Sequence, residues 1–260
     1  MLYAKDITVS LGSKPVLHGI TCTAAAGEVT AIVGPNGSGK TTLLRALTGD
    51  IAHGGQIALN DRDVTGMQAW QLASLRGVLP QATPLAFPFT VIEVVRMGLM
   101  AGVSAGRNHL PEQALAQVDL TGYENCFYQE LSGGEQQRVQ LARVLCQVWE
   151  PTLDGQSRWL FLDEPVSSLD IAHQLQVMQI ARAFAEGGGG VIMVMHDLNL
   201  TAMFSDKVIL MKNGRIVKTG TPVEVIANEP LSDAYGCKID LSRPAPATAP
   251  LFHPATVSTH

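Results

Sequence analysis

A chain of 260 residues, 46% of them hydrophobic, can bury a core large enough for one large domain or two small ones, which excludes a disordered or fibrous protein. Its formal charge of −5 supplies no basic field for a phosphate backbone, so nucleic acid is excluded as a main partner. Cys22, Cys126, Cys146 and Cys237 are scattered with no C-x-x-C spacing, which argues against a zinc site or a disulfide framework and fits a reducing compartment.

The N-terminal residues alternate between charged and apolar types, unlike a secretory leader, and Leu2 to Leu11 reads as a half-buried strand. Ile20 to Ala24 reads as a second strand, so antiparallel pairing is expected first, with Ala25, Ala26 and Gly27 turning the chain. Val29 to Val33 is a short apolar run ending at Gly34, and Thr41 to Leu47 is helical in spacing. From Pro88 to about Glu150 the spacing is helical: Val91, Val94 and Val95, then Leu115 and Val118, then Val139, Ala142 and Leu145. Trp159 to Leu162 and Val191 to Met195 are apolar runs ending at Asp163 and His196, as buried parallel strands end at their carboxyl edge. The glycines 187–190 are expected to form a flexible connection, and the Pro-, Ala- and Thr-rich tail 241–260 to be irregular. No apolar stretch reaches the roughly 20 residues a spanning helix needs. A cytoplasmic protein is therefore expected, touching a membrane only through a partner.

Three motifs carry chemistry. Gly34-Pro35-Asn36-Gly37-Ser38-Gly39-Lys40-Thr41 matches G-x-x-x-x-G-K-[ST] between a strand and a helix. Its backbone N–H groups can converge on phosphate oxygens, Lys40 can reach the β and γ phosphates, and Thr41 can ligate Mg²⁺. Asp163 and Glu164 follow a buried run; the pair is either a solvated loop or, beside a phosphate loop, a Mg²⁺ ligand and a base for the attacking water. Leu131-Ser132-Gly133-Gly134-Glu135 has the spacing of a capping box, and the same helix start is also an anion site.

In this order the motifs resemble those of the ATP-binding subunits of ABC transporters, over about residues 2–235. The resemblance implies an α/β P-loop NTPase (ABC ATPase) core at 1–87 and 158–240, with an N-terminal antiparallel β subdomain and an inserted helical subdomain at about 88–157. It implies ATP and Mg²⁺ as ligands. ATP contacts would come from Gly34 to Thr41, Thr42, Ser132, Gly133 and Gly134; Mg²⁺ contacts from Thr41, Gln81 and Asp163. Glu164, His196, Gln81 and Lys40 would be the catalytic set, His196 contacting the γ-phosphate. Asp170, in Ser167-Ser168-Leu169-Asp170, would lie at a subunit contact.

The same resemblance implies a head-to-tail homodimer in which Ser132 and Gly134 complete the partner's site. Two permease subunits would hold it at the cytoplasmic face of the inner membrane, with a periplasmic or surface binding protein acting indirectly. Two departures stand out: Leu11 occupies the position where the family often stacks adenine on an aromatic ring, and Val166 replaces a hydroxyl residue. Tyr3 is too early in the chain to substitute for that ring.

Leu85-Ala86-Phe87-Pro88-Phe89-Thr90-Val91 looks like the equivalent segment of iron-siderophore, cobalamin and haem importers, or is an apolar loop under the helices. With the insertion Thr152 to Arg158 and the stretches Leu169–Gln174 and Asp197–Asp206, the likeness is nearest to haem importer subunits. Siderophore or cobalamin import is the alternative, and a soluble ABC ATPase of repair or translation a more distant one. No residue is expected to touch haem, His173 and Met203 included, because both belong to helices on an ATPase core.

Overall fold

The computed structural model describes residues 1–81, 85, 87–101 and 106–241. The expected tail therefore lies almost wholly outside the described residues, as does Ala86 of the apolar segment.

The strands β1 (Leu2–Leu11) and β2 (Lys14–Ala24) pair antiparallel, from Leu2 opposite Ala24 to Leu11 opposite Lys14. Leu2, Ala4, Ile7 and Val9 are buried and their neighbours exposed, which is the period-2 pattern of a sheet with one wet face. β2 begins at Lys14 instead of Ile20, because Lys14, Pro15, His18 and Gly19 hide the alternation there, while pairing to β1 and the burial of Leu17 hold that half in the sheet. β3 (Val29–Val33) is buried at every position and runs into a loop that opens α1 (Lys40–Leu47).

Next come β4 (Gly54–Leu59) and β5 (Arg62–Asp63), which complete a four-stranded sheet of order β2-β1-β4-β5. The chain then passes through α2 (Ala69–Leu75) and β6 (Arg76–Leu79). A helical region follows: α3 (Val91–Ala101), α4 (Leu110–Gln117) and α5 (Gly133–Gln147). Val91, Val94, Val95, Leu115, Val118, Val139, Ala142 and Leu145 are all buried there, as their helical spacing requires. Gln147 on α5 donates to the carbonyls of Ala73 and Arg76, tying the helix end to the core.

The small hairpin β7 (Thr152–Leu153) and β8 (Gln156–Ser157) precedes β9 (Trp159–Asp163), which is fully buried. After it come α6 (Ile171–Glu186), β10 (Gly190–Val194), α7 (Leu198–Phe204), β11 (Lys207–Lys212), β12 (Arg215–Gly220), α8 (Pro222–Val225) and α9 (Asn228–Tyr235). The second sheet has order β12-β11-β3-β10-β9-β6, parallel throughout except for β12.

The central strands β3, β9 and β10 divide their side chains between two cores. Val29, Ala31, Val33, Leu160, Leu162, Val191 and Met193 join the cluster with the helices α3 to α6. Ile32, Trp159, Phe161, Ile192 and Val194 join α1 and the antiparallel sheet on the other face. Burial on both faces is why these strands read as continuous apolar runs.

The glycines 187–190 have a steric reason in place of the expected flexibility. A Cβ on Gly189 would lie 2.3 Å from the Phe184 ring, and one on Gly190 2.4 Å from the Trp159 ring. The connection is packed, with Gly27 N–H donating to Gly189 O.

Candidate active site

The parallel order of the second sheet carries the ends of β3, β9, β10 and β6 to one edge, and the residues that follow them are the predicted site residues. After β3, Gly34 (φ 144°), Gly37 (φ 77°) and Gly39 (φ 98°) take backbone conformations that favour glycine. A Cβ on Gly34 would lie 2.2 Å from Met211 O, so the loop is pressed against β11. Its outer wall is the β11–β12 turn at Asn213–Gly214. Gly214 N–H donates to Ser38 O at 2.9 Å, while Gly214 O accepts from His18 N–H on β2 at 3.0 Å.

The loop fits a phosphate chain. No side chain caps α1, and no acidic residue lies in its first turn, so the N–H groups at its start carry uncompensated positive potential. Ser38 Oγ is buried without a partner among the described residues. Lys40 Nζ donates to Gly34 O at 2.9 Å and Pro35 O at 3.1 Å. Burial lowers the Lys40 pKa, opposed by the charges of Glu164 and Asp163.

Thr41 Oγ1 donates to Asp163 Oδ1 at 3.1 Å. Thr41, Asp163 and Gln81 line one opening of about 330 Å³. Hydroxyl, carboxylate and amide oxygens are the hard donors Mg²⁺ prefers, so the predicted metal residues fit that ion chemically. Burial raises the Asp163 pKa, helped by the charge of Glu164 and opposed by the Thr41 hydrogen bond and the charges of Lys40 and His196.

Glu164 sits one residue past β9 with φ 52°, in the left-handed region that costs a non-glycine residue about 1 kcal/mol or more. Its N–H reaches Val194 O on β10. The turn aims the carboxylate into the cleft, where Gln81 Nε2 donates to Oε2 at 3.0 Å and His196 Nε2 lies 2.6 Å from Oε1. Gln137 on α5 donates to Glu164 O at 2.9 Å, a contact that no motif in the sequence signals.

A cleft of about 670 Å³ joins Asn36 to Thr42 with Gln81, Glu164 and His196, and at its far end Leu11, Lys14 and Val16 form the wall. Tyr3 pairs with Thr23 and Ala58 at the other end of β1, roughly 25 Å away at strand rise, and takes no part. Val166 is buried, and its carbonyl accepts from Gln174, so the lost hydroxyl leaves an apolar contact in its place.

The structure does not bring Ser132, Gly133 and Gly134 into this cleft. They line a separate opening of about 510 Å³ with Ser168, Asp170 and His173. Ser132 caps α5, accepting from Glu135 N–H, while Glu135 Oε2 accepts from Ser132 N–H at 2.8 Å and Oγ–H at 2.6 Å. Those bonds pull the Glu135 carboxyl below its usual range. Asp170 caps α6 in the same way. Among the described residues, no helix is long and apolar enough to cross a membrane.

The family described as ABC transporter matches residues 17–167. The hemin import ATP-binding protein HmuV of Jannaschia sp. (strain CCS1) is 60% identical over 98% of this chain and 94% of its own length. That of Ruegeria sp. (strain TM1040) is 60% identical over 96% of each. Among solved structures, a nucleotide-free ATP-binding cassette from an ABC transporter superposes with a TM-score of 0.77 at 21% identity, over 90% of this chain and 98% of that one. A bacterial ABC transporter cassette in dimeric form superposes with a TM-score of 0.73 at 25% identity, over 85% of this chain and 99% of that one. With its phosphate loop, paired carboxylates and capped L-S-G-G-E helix on that fold, this chain belongs to the ATP-binding subunits of the ABC transporter family.

Proposed function

We propose that this chain is the ATP-hydrolysing subunit of an importer that energises haem uptake across the inner membrane. The observation that carries the substrate is the likeness to hemin import ATP-binding proteins along nearly the whole chain. Haem itself would be handled by the permease and an external binding protein.

ATP would lie along the 670 Å³ cleft, its phosphates against the Gly34–Thr42 segment and its base between Leu11, Lys14 and Val16. Thr41, Asp163 and Gln81 would hold Mg²⁺, which when bound would supply positive charge beside the phosphates. Lys40 would exchange its carbonyl partners for phosphate oxygens, and Glu164 would take the proton of the attacking water. His196 and Gln81, already on the two oxygens of Glu164, would orient that carboxylate and stabilise charge at the γ-phosphate.

The separation of the Ser132–Gly134 opening from this cleft supports a composite site. Two copies packed head to tail would place Ser132 and Gly134 of each against the other's phosphates. The core 1–87 and 158–240 and the helical part 88–157 would then move against each other, with Gln81 and the exposed Phe87 nearest the permease.

The test is to recover affinity-tagged Glu164→Gln with ATP from solubilised native membranes, identify the co-purifying permease, and assay the wild-type complex. Hydrolysis stimulated by haem with its binding protein, and not by a siderophore or cobalamin, is the expected result. Recovery of soluble partners alone would overturn the importer reading.

A further inference from the structure

His173 lies one turn into α6 and contacts two carboxylates from different parts of the chain. Its Nδ1 is 2.9 Å from Asp170 Oδ1 on the loop that opens α6. Its Nε2 is 3.6 Å from Asp119 Oδ2, in the turn between α4 and α5. The backbone N–H of His173 also donates to Asp170 Oδ1 at 3.0 Å.

Asp119 is itself fixed to the L-S-G-G-E helix. Arg138, buried on α5, donates from Nη1 to the carbonyls of both Val118 and Asp119 at 2.8 Å. Asp119 adopts φ 56°, a left-handed conformation that aspartate tolerates better than most residues. One turn of α6 further on, Gln176 Nε2 donates to Gln117 O at 2.8 Å, a second tether to the end of α4. At the start of α5, a Cβ on Gly134 would lie 3.0 Å from Ser168 O, so the two loops touch there directly.

We propose that His173 is a positioning residue that clamps the Ser167–Asp170 loop to the Ser132–Gly134 helix through Asp119. Both then meet the other subunit's nucleotide as one rigid surface. The inference rests on the two-subunit reading above.

The charged groups around the imidazole are Asp170 on its own helix, Asp119 from the α4–α5 turn, and Arg138 and Glu135 from α5. Both carboxylates face the imidazole, Asp170 at hydrogen-bond distance and Asp119 at ion-pair distance. The carboxylates are largely exposed, with side chains 66% and 78% accessible, so solvent screening keeps their contribution modest.

The experiment uses the full chain carrying Glu164→Gln and measures ATP-driven dimerisation and monomer ATP affinity for the parent, His173→Ala, His173→Gln, Asp119→Asn and the double variant His173→Ala with Asp119→Asn. Expected are unchanged monomer affinity, dimerisation weakened about two- to fivefold in His173→Ala and in Asp119→Asn, partial recovery in His173→Gln, whose amide can still bond a carboxylate, and no additional loss in the double variant. Asp119→Asn, whose side chain is exposed, leaves the fold intact. A dimer indifferent to both substitutions, or losses that simply add in the double variant, would overturn the clamp alone. A parent that forms no dimer with ATP would overturn the two-subunit reading and the clamp with it.

Discussion

His196 Nε2 and Glu164 Oε1 approach to 2.6 Å, although the residues lie 32 positions apart and follow the ends of two neighbouring strands, β10 and β9. Since Gln81 holds the other oxygen, the carboxylate is fixed at both atoms before any water reaches it. Replacing Glu164 by Gln preserves shape and removes the proton acceptor. Turnover should fall by about 10²- to 10⁴-fold with ATP affinity nearly unchanged. Single-turnover hydrolysis beside equilibrium nucleotide binding measures both, and near-normal turnover would remove Glu164 as the base.

Lys40 reports on binding instead. Its ammonium is buried and held by loop carbonyls that substrate phosphates would replace. Lys40→Ala should weaken ATP binding by about 1.5 to 3 kcal/mol, roughly ten- to a hundredfold, as expected for charge-assisted hydrogen bonds. Isothermal titration with Mg-ATP gives the number directly, and unchanged affinity would contradict the assignment.

Asp163 sets function against stability. Burial raises its pKa, so the folded state disfavours the ionised carboxylate relative to the unfolded chain. The resulting penalty is absent below the ordinary carboxylate range and appears as pH rises through the raised value and above it. In chelator, Asp163→Asn should therefore melt at a higher temperature than the parent at pH 7, with the gap closing as the medium is acidified, while Mg-dependent hydrolysis is lost. A lower melting temperature at neutral pH would refute the sign.

The base end of the cleft offers a gain-of-affinity test. Leu11 is half exposed there and presents no aromatic face. Leu11→Tyr should tighten ATP binding by about 0.5 to 1.5 kcal/mol through ring stacking. Fluorescence competition against a nucleotide lacking the base would locate the gain, and an equal gain for both ligands would place it elsewhere.

The phosphate loop, the carboxylate pair and the cap of α5 were legible because each is local: a few adjacent residues fix backbone and chemistry together. The helical region was legible from spacing, since Val91, Val94 and Val95 all face the core. Other elements escaped for physical reasons. β6 is four residues long and opens with Arg76 and Gly77, so nothing in it alternates; it is a strand because β9 pairs with it. β11 does contain a buried run, Val208 to Met211, and the flanking Lys207 and Lys212 bound it as a strand signal that sequence reading could have used. Gln137, Lys14 and Val16 reach the site only by tertiary placement, which neither spacing nor residue type announces.

The turn at Asn213–Gly214 has a consequence for the order in which the protein is made. The loop sequence from Gly34 to Thr41 leaves the ribosome early, yet its flanks are β11, which presses on Gly34, and Gly214, which bonds Ser38 and His18. At synthesis rates of roughly 5–20 residues per second, on the order of ten seconds separate the loop from the residues that brace it. A nascent chain thus carries every letter of its nucleotide motif without the walls that shape it, and competence to bind ATP arrives only once Met211 and Gly214 have been made.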